Sequence, residues 1–264
     1  MTYIWINPVA DSMYDKDTLK DFLHQHGYQR IEITGDWLNV VKEKYQAAIE
    51  EHKNTVLDMR CPKIRTLLED IGEIDQTTIP DIKPILIHCG QEVSEREDLQ
   101  GEQKIITTPC QALADMGNEL QLKDTRFIPW NHFLKELGNE PESILPEKSP
   151  IPPGFFEGLN LRTDSVTGEE EIRHFFENNK YKDVQLVELL YCKDGCHNGD
   201  GIIGCKDGCH NGDGIIGCKD GCHNGDDIIG CKDGCHNRDG IIGHKIGEAY
   251  RHGIVEEKGS AESR

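Results

Sequence analysis

The sequence predicts an α/β fold, with alternating strands and helices in layered sheets and a Gly/Cys-rich tandem-repeat insert near the C-terminus. Three observations carry this. Short apolar runs alternate with helix-period stretches through about residue 138, the pattern of an α/β layer fold. At 264 residues and 36% hydrophobic content, with glycine added, the chain can build a packed core. No apolar run reaches the ~18 residues that a membrane-spanning helix requires.

Taken in order, residues 3–6 read as a strand. Residues 15–26 read as a helix, with Leu19, Phe22, Leu23 and His26 along one face. Residues 30–34 form a short strand. Asp36 is placed to cap a helix running through Trp37, Val40, Val41, Tyr45 and Ala48 to about residue 49. Residues 55–57 form a strand that runs into Arg60-Cys61-Pro62. Pro62 suits the first turn of a helix over about residues 63–70, because its φ is already helical and its missing N–H has no partner there. Residues 84–88 read as a strand ending at Cys89. Residues 104–107 form a strand running into Pro109-Cys110, followed by a helix from Gln111 to about residue 120. Phe127-Ile128 precedes a helical stretch over residues 131–137. Residues 141–153 are Pro-rich and read as a linker or surface loop. Thr167-Gly168-Glu169-Glu170 has the spacing of a capping box and opens a helix through Phe176. Residues 184–190 read as a buried strand that delivers Cys192.

The chain divides into four parts: an α/β region over 1–140; a linker, helix and strand over 141–191; four tandem 13-residue units over 192–243; and a tail over 244–264. The units start at Cys192, Cys205, Cys218 and Cys231 and read CKDGCHNGDGIIG, with Asp227 and Arg238 each standing where the consensus has Gly. Such near-identity points to recent duplication of one ancestral unit. The formal charge is −19, which argues against nucleic acid and membrane partners, since both need clustered Lys and Arg. Met1-Thr2-Tyr3-Ile4-Trp5 has neither the basic region nor the apolar stretch of a signal peptide. The expected location is therefore cytoplasmic, where thiols stay reduced or hold metal.

Three of the eleven cysteines precede the array. Cys61, Cys89 and Cys110 each follow an expected strand, and Cys61 and Cys110 also open an expected helix. Ligands of open α/β sheets gather beyond the carboxyl ends of the strands. A helix N-terminus favours the thiolate, the form that binds iron. The plainer alternative for any one of them is a small core residue. The joint pattern weighs against that alternative most for Cys61 and Cys110, each beside a proline.

Glu188-Leu189-Leu190-Tyr191-Cys192-Lys193-Asp194-Gly195-Cys196-His197-Asn198-Gly199-Asp200-Gly201 resembles the last cysteine loop of the iron-only ([FeFe]) hydrogenase family, in the C-terminal domain of its large chain. In that loop a strand ends in Cys, three residues, Cys and a Gly-rich turn. Thr108-Pro109-Cys110-Gln111-Ala112 resembles the family's middle loop, and Arg60-Cys61-Pro62 its first. The stretch from Pro150-Ile151-Pro152-Pro153-Gly154 to Ser165-Val166-Thr167-Gly168-Glu169-Glu170 is similar to the more divergent, sensor-like members. The resemblance spans about residues 150–201, with patches over about 55–118. It implies that Cys61, Cys110, Cys192 and Cys196 are the thiolate ligands of a [4Fe–4S] cubane. In active members the second cysteine of the last pair also bridges to a di-iron unit. Two positions depart from the active pattern. A proton-relaying cysteine before the first ligand is here Arg60, and no lysine follows the middle cysteine in Gln111-Ala112-Leu113-Ala114-Asp115. Nor is there a ferredoxin-type run of cysteines. These departures predict no H2 turnover and argue against the di-iron unit. What is left is a redox, electron-transfer or sensing role with a redox protein as partner.

The repeats leave the ligand pair open. Cys205 with Cys209, Cys218 with Cys222, and Cys231 with Cys235 offer the same spacing as Cys192 with Cys196. The first pair is favoured because it is tethered directly to the expected strand. The same Cys-x3-Cys-His units suit zinc, so a non-enzymatic zinc protein is the main alternative, and an active iron hydrogenase the second. Haem attachment is disfavoured because it normally takes two intervening residues. An EF-hand is disfavoured because its twelfth position would fall on Cys205. A Gly-rich insert with no ligand is a further alternative for the later copies. His88 beside Cys89 is discounted as a catalytic pair, since neighbours on a strand face opposite ways.

Overall fold

The computed structural model describes residues 1–203 throughout and, beyond them, only the backbone of four two-residue strands. Residues Met1–Ile202 form one compact unit and Ile203–Arg264 another. In chain order, the first unit runs β1 (Thr2–Trp5), α1 (Pro8–Asp11), α2 (Lys16–Gln25), β2 (Tyr28–Arg30), α3 (Trp37–Glu51), β3 (Thr55–Leu57), α4 (Pro62–Ile71), β4 (Thr77–Thr78) and α5 (Ile85–Glu95). It continues with β5 (Gln103–Thr108), α6 (Gln111–Glu119), β6 (Thr125–Pro129), α7 (Trp130–Leu137), β7 (Thr163–Thr167), α8 (Glu169–Glu177), β8 (Leu186–Leu190) and α9 (Asp200–Ile203).

The α/β expectation holds. Two four-stranded sheets, ordered β2-β1-β5-β6 and β4-β3-β8-β7, are parallel at every pairing. Parallel strands covered on both faces read as unbroken apolar runs, and every residue of β3 and β8 is buried. Helices α4 and α8 lay Ile64, Leu67, Leu68, Ile172, Phe175 and Phe176 on one face of the second sheet, against Leu57, Val187 and Leu189. On its other face, α3 sets Val41, Tyr45 and Ala48 against Val56, Leu186 and Phe156. Helices α5 and α6 cover the first sheet around Ile106 and Phe127. Their close approach depends on Gly90 and Gly117, where an added Cβ would strike the Phe127 ring. Gly117→Ala is therefore expected to cost about 1–3 kcal/mol by overpacking, measurable as a lowered urea midpoint with an unchanged slope.

Several elements differ from expectation, each for a physical reason. Residues 84–89 are not a strand: Pro84 is the N-cap of helix α5. A short apolar run has no visible period, and a helix buried on most sides looks like a central strand. Strand β2 ends at Arg30 rather than beginning there, although Ile31 N still donates to Ile4 O. The capping box does not form. Thr167 ends β7, its hydroxyl accepts from Asp194 N, and Gly168 at φ 94° opens α8 without a side-chain cap. Strands β4 and β7 are the edges of the second sheet and carry mostly polar residues, so no apolar pattern announced them.

In the second unit, β9 (Ile215–Ile216) pairs in parallel with β10 (Ile228–Ile229), and β11 (His236–Asn237) pairs antiparallel with β12 (Gly240–Ile241). Among the described residues no helix is long and apolar enough to cross a membrane.

Candidate functional site

The first sheet has one point where the strand order reverses, between β1 and β5, while in the second β3 and β8 are the two central strands. At such a point the loops leaving neighbouring strands diverge and open a crevice beyond the carboxyl ends. Here that crevice and the carboxyl ends of β3 and β8 open onto one cavity of about 370 Å³. Trp5 and Asn7 reach it after β1, Arg60 and Cys61 after β3, Pro109 and Cys110 after β5, and Tyr191, Cys192 and Cys196 after β8. The four cysteines favoured from the sequence therefore line the same cavity. Cys89 also lines it, from the first turns of α5.

Cys61 and Cys110 occupy the N-cap positions of α4 and α6, and neither thiol caps its helix. The helix dipole was expected to ease their ionisation. The structure reverses that sign. Burial pushes Cys61 above the ordinary thiol range, against N–H groups of Tyr191, Lys63 and Ile64 that pull it down. Burial raises Cys110 further, helped by Cys61. Cys196 is raised by burial, then by Cys61 and Cys192, with Arg60 opposing. Desolvation of a thiolate in this pocket thus outweighs the dipole. Cys61 and Cys196 add to the rise at Cys110, and Cys61 and Cys192 to that at Cys196, so a cation that offset the charge would favour the thiolate forms of these neighbours together. Cys89 is likewise pushed up to about 12 by burial and Glu92, and His88 does not activate it. The His88 ring stacks on Trp37 at 5.1 Å, and its Nε2 is buried without a hydrogen bond.

The loops are tied by a residue that sequence reasoning did not single out. Asp200, just past the Cys192 and Cys196 pair, accepts from Gln111 N at 3.0 Å through Oδ1, supplying the cap that the Cys110 thiol does not. Its Oδ2 pairs with Lys63 Nζ at 2.9 Å. One carboxylate thereby joins the turn after Cys61, the turn after Cys110 and the loop of Cys196. Burial works against the Lys63 charge, but Asp200 more than offsets it and holds the ammonium protonated above its usual range. Asp200→Ala removes a helix cap, a change that costs about 0.5–2 kcal/mol, and frees the three loops from one another. A lowered melting temperature and earlier hydrogen exchange at Gln111 are the expected readouts.

Arg60 stands between this wall and the core of the second sheet. It is buried, and its guanidinium binds Asp58 through Nε at 3.0 Å and Nη2 at 2.7 Å, and Glu188 through Nη2 at 2.7 Å. It also lies over the Phe155 ring at 3.9 Å. Glu188 in turn accepts from Gly154 N, Phe155 N and Ser165 Oγ, anchoring the 150–155 segment at the cavity. At the opposite rim, Glu92 accepts from Thr34 N, Gly35 N and Trp37 Nε1. Burial opposes its ionisation, yet these donors hold the carboxyl below the usual range.

Among the described residues, no three His, Cys, Asp or Glu side chains converge as ligands of a single metal ion would. A cubane does not require that, because its thiolates are spread over separate irons. The chemistry of the lining suits such a cluster: four cysteine sulfurs, soft donors, on three loops, with Lys63 and Arg60 near them.

The alternative ligands differ from these four in one respect. Cys205 and Cys209 lie outside the described residues, as do Cys218, Cys222, Cys231 and Cys235. The zinc alternative, built on the same copies, lies outside the described residues with them. No protein-family model and no curated protein matches the chain.

Proposed function

We propose that this chain binds one [4Fe–4S] cluster through Cys61, Cys110, Cys192 and Cys196 and serves a redox, electron-transfer or sensing role without H2 turnover. The carrying observation is that these cysteines, distant in sequence, line one cavity beyond the carboxyl ends of strands from two parallel sheets. When bound, a cluster of this kind supplies one-electron chemistry whose potential depends on nearby charge and hydrogen bonding. The chain's own part is to hold the thiols, bury them and set Lys63 and Arg60 beside them. Arg60 also supports a non-catalytic reading. Where active hydrogenases place a proton-relaying cysteine, a guanidinium paired with two carboxylates stays protonated and passes no proton. A cytoplasmic location and a redox protein as partner follow from the same reading.

Anaerobic reconstitution with iron and sulfide tests it. The expected product is brown, with about four iron and four sulfide per chain, and evolves no H2 with a strong reductant. A colourless, folded protein with stoichiometric zinc and no sulfide would instead favour the zinc reading of the repeats. H2 evolution would restore the hydrogenase reading.

A further inference from the structure

Four repeat copies offer the same Cys-x3-Cys spacing, yet the structure distinguishes them by what lies after the second cysteine. Gly201 N donates to Pro109 O at 3.0 Å, so the loop of Cys196 rests directly on the loop of Cys110. A Cβ at Gly201 would lie 2.8 Å from Pro109 C and 2.9 Å from Cys110 N, and a Cβ at Gly199 would collide with Pro109 O. The opposing atoms are backbone at the entry to α6, so no side-chain rotation relieves the contact. Gly199 has φ −74°, which any residue adopts. Space, not conformation, demands glycine there.

Gly199 and Gly201 are the eighth and tenth residues of the 13-residue unit. The second copy keeps both, as Gly212 and Gly214. The third has Asp227 at the tenth position, and the fourth has Arg238 at the eighth. Gly195, at φ 114° and crowded by Ser149, is the fourth residue and has a glycine counterpart in every copy, so it does not discriminate. We infer that Gly199 and Gly201 decide which copy can seat on Pro109 and deliver a cysteine pair to the cavity, and that Asp227 and Arg238 bar the third and fourth copies. This rests on the cluster reading above. The first copy holds the seat, since it leaves β8 directly, and the second, with Cys205 and Cys209, is the one substitute its sequence permits.

The test uses the full chain, reconstituted anaerobically with iron and sulfide. A C205S/C209S background removes the second copy's thiols and is expected to keep about four sulfide per chain. Adding G201D or G199R to that background is expected to lower sulfide at least about tenfold, although Cys218, Cys222, Cys231 and Cys235 are intact. Circular dichroism of each variant separates a lost seat from a lost fold. A C192S/C196S/C205S/C209S chain leaves every glycine in place and is also expected to bind no sulfide. Full cluster content in that chain, or in the folded glycine variants, overturns the inference. So does loss of the cluster in C205S/C209S alone, which would assign the seat to the second copy. Absence of sulfide in the unmodified chain is a different failure, because it removes the cluster reading itself.

Discussion

Cys110→Ser is expected to leave the chain without its cluster, and Cys61→Ser to do the same. After anaerobic reconstitution, iron and sulfide should fall from about four of each per chain to below about one. Serine offers a hard, neutral oxygen where iron–sulfur chemistry takes a soft thiolate. Each of these cysteines is also the sole thiol on its loop, and each sits at a helix N-cap where the backbone fixes its direction. Cys89→Ser is the matched control. It too faces the cavity, but from within α5, and it is expected to keep full iron and sulfide content. Cluster loss in Cys89→Ser with retention in Cys110→Ser would assign the ligand set wrongly and require the site to be rebuilt around α5.

The difference between what the sequence disclosed and what it did not follows from range. Cys61 and Cys110 were legible because strand, cysteine and helix are adjacent in the chain, and a proline marks the turn at each. Their meeting at one cavity was implied by the family resemblance alone, since it depends on β1 pairing with β5 and β3 with β8, contacts made across about 100 residues or more. Cys196 and Cys209 stand in identical 13-residue units, so the units themselves do not choose between them, and only the tether to the preceding strand favoured the first. Asp200 reads in sequence as one more acidic residue of a repeat, and becomes a clasp only once Lys63 and Gln111 are beside it. Helix α5 was misread as a strand because burial on most sides erases the polar stripe that marks a surface helix. The ionisation of the thiols was misjudged for a related reason. A helix N-terminus is visible in sequence, while the depth at which folding places it is not.

Arg60→Met is expected to destabilise the fold by about 3–5 kcal/mol, the usual result of removing one partner from a buried ion pair. Asp58 and Glu188 are 0% and 2% exposed, and without the guanidinium two carboxylates face each other in the core of the second sheet. Methionine keeps much of the packing against Phe155 and Phe156, so the loss reports mainly on charge. Arg60→Lys should recover only part of it, because an ammonium cannot bind Asp58 through two nitrogens while also reaching Glu188. The triple variant Arg60→Met, Asp58→Asn, Glu188→Gln separates charge from shape. With no buried charge left to compensate, it should be more stable than Arg60→Met alone, and the non-additivity measured by urea unfolding gives the coupling within the network. If the triple variant were the less stable, the network would be acting through its hydrogen bonds to Gly154, Phe155 and Ser165 more than through its charge. In either case the consequence reaches the cavity, because the residue that satisfies Glu188 on one side is the residue that precedes Cys61 on the other.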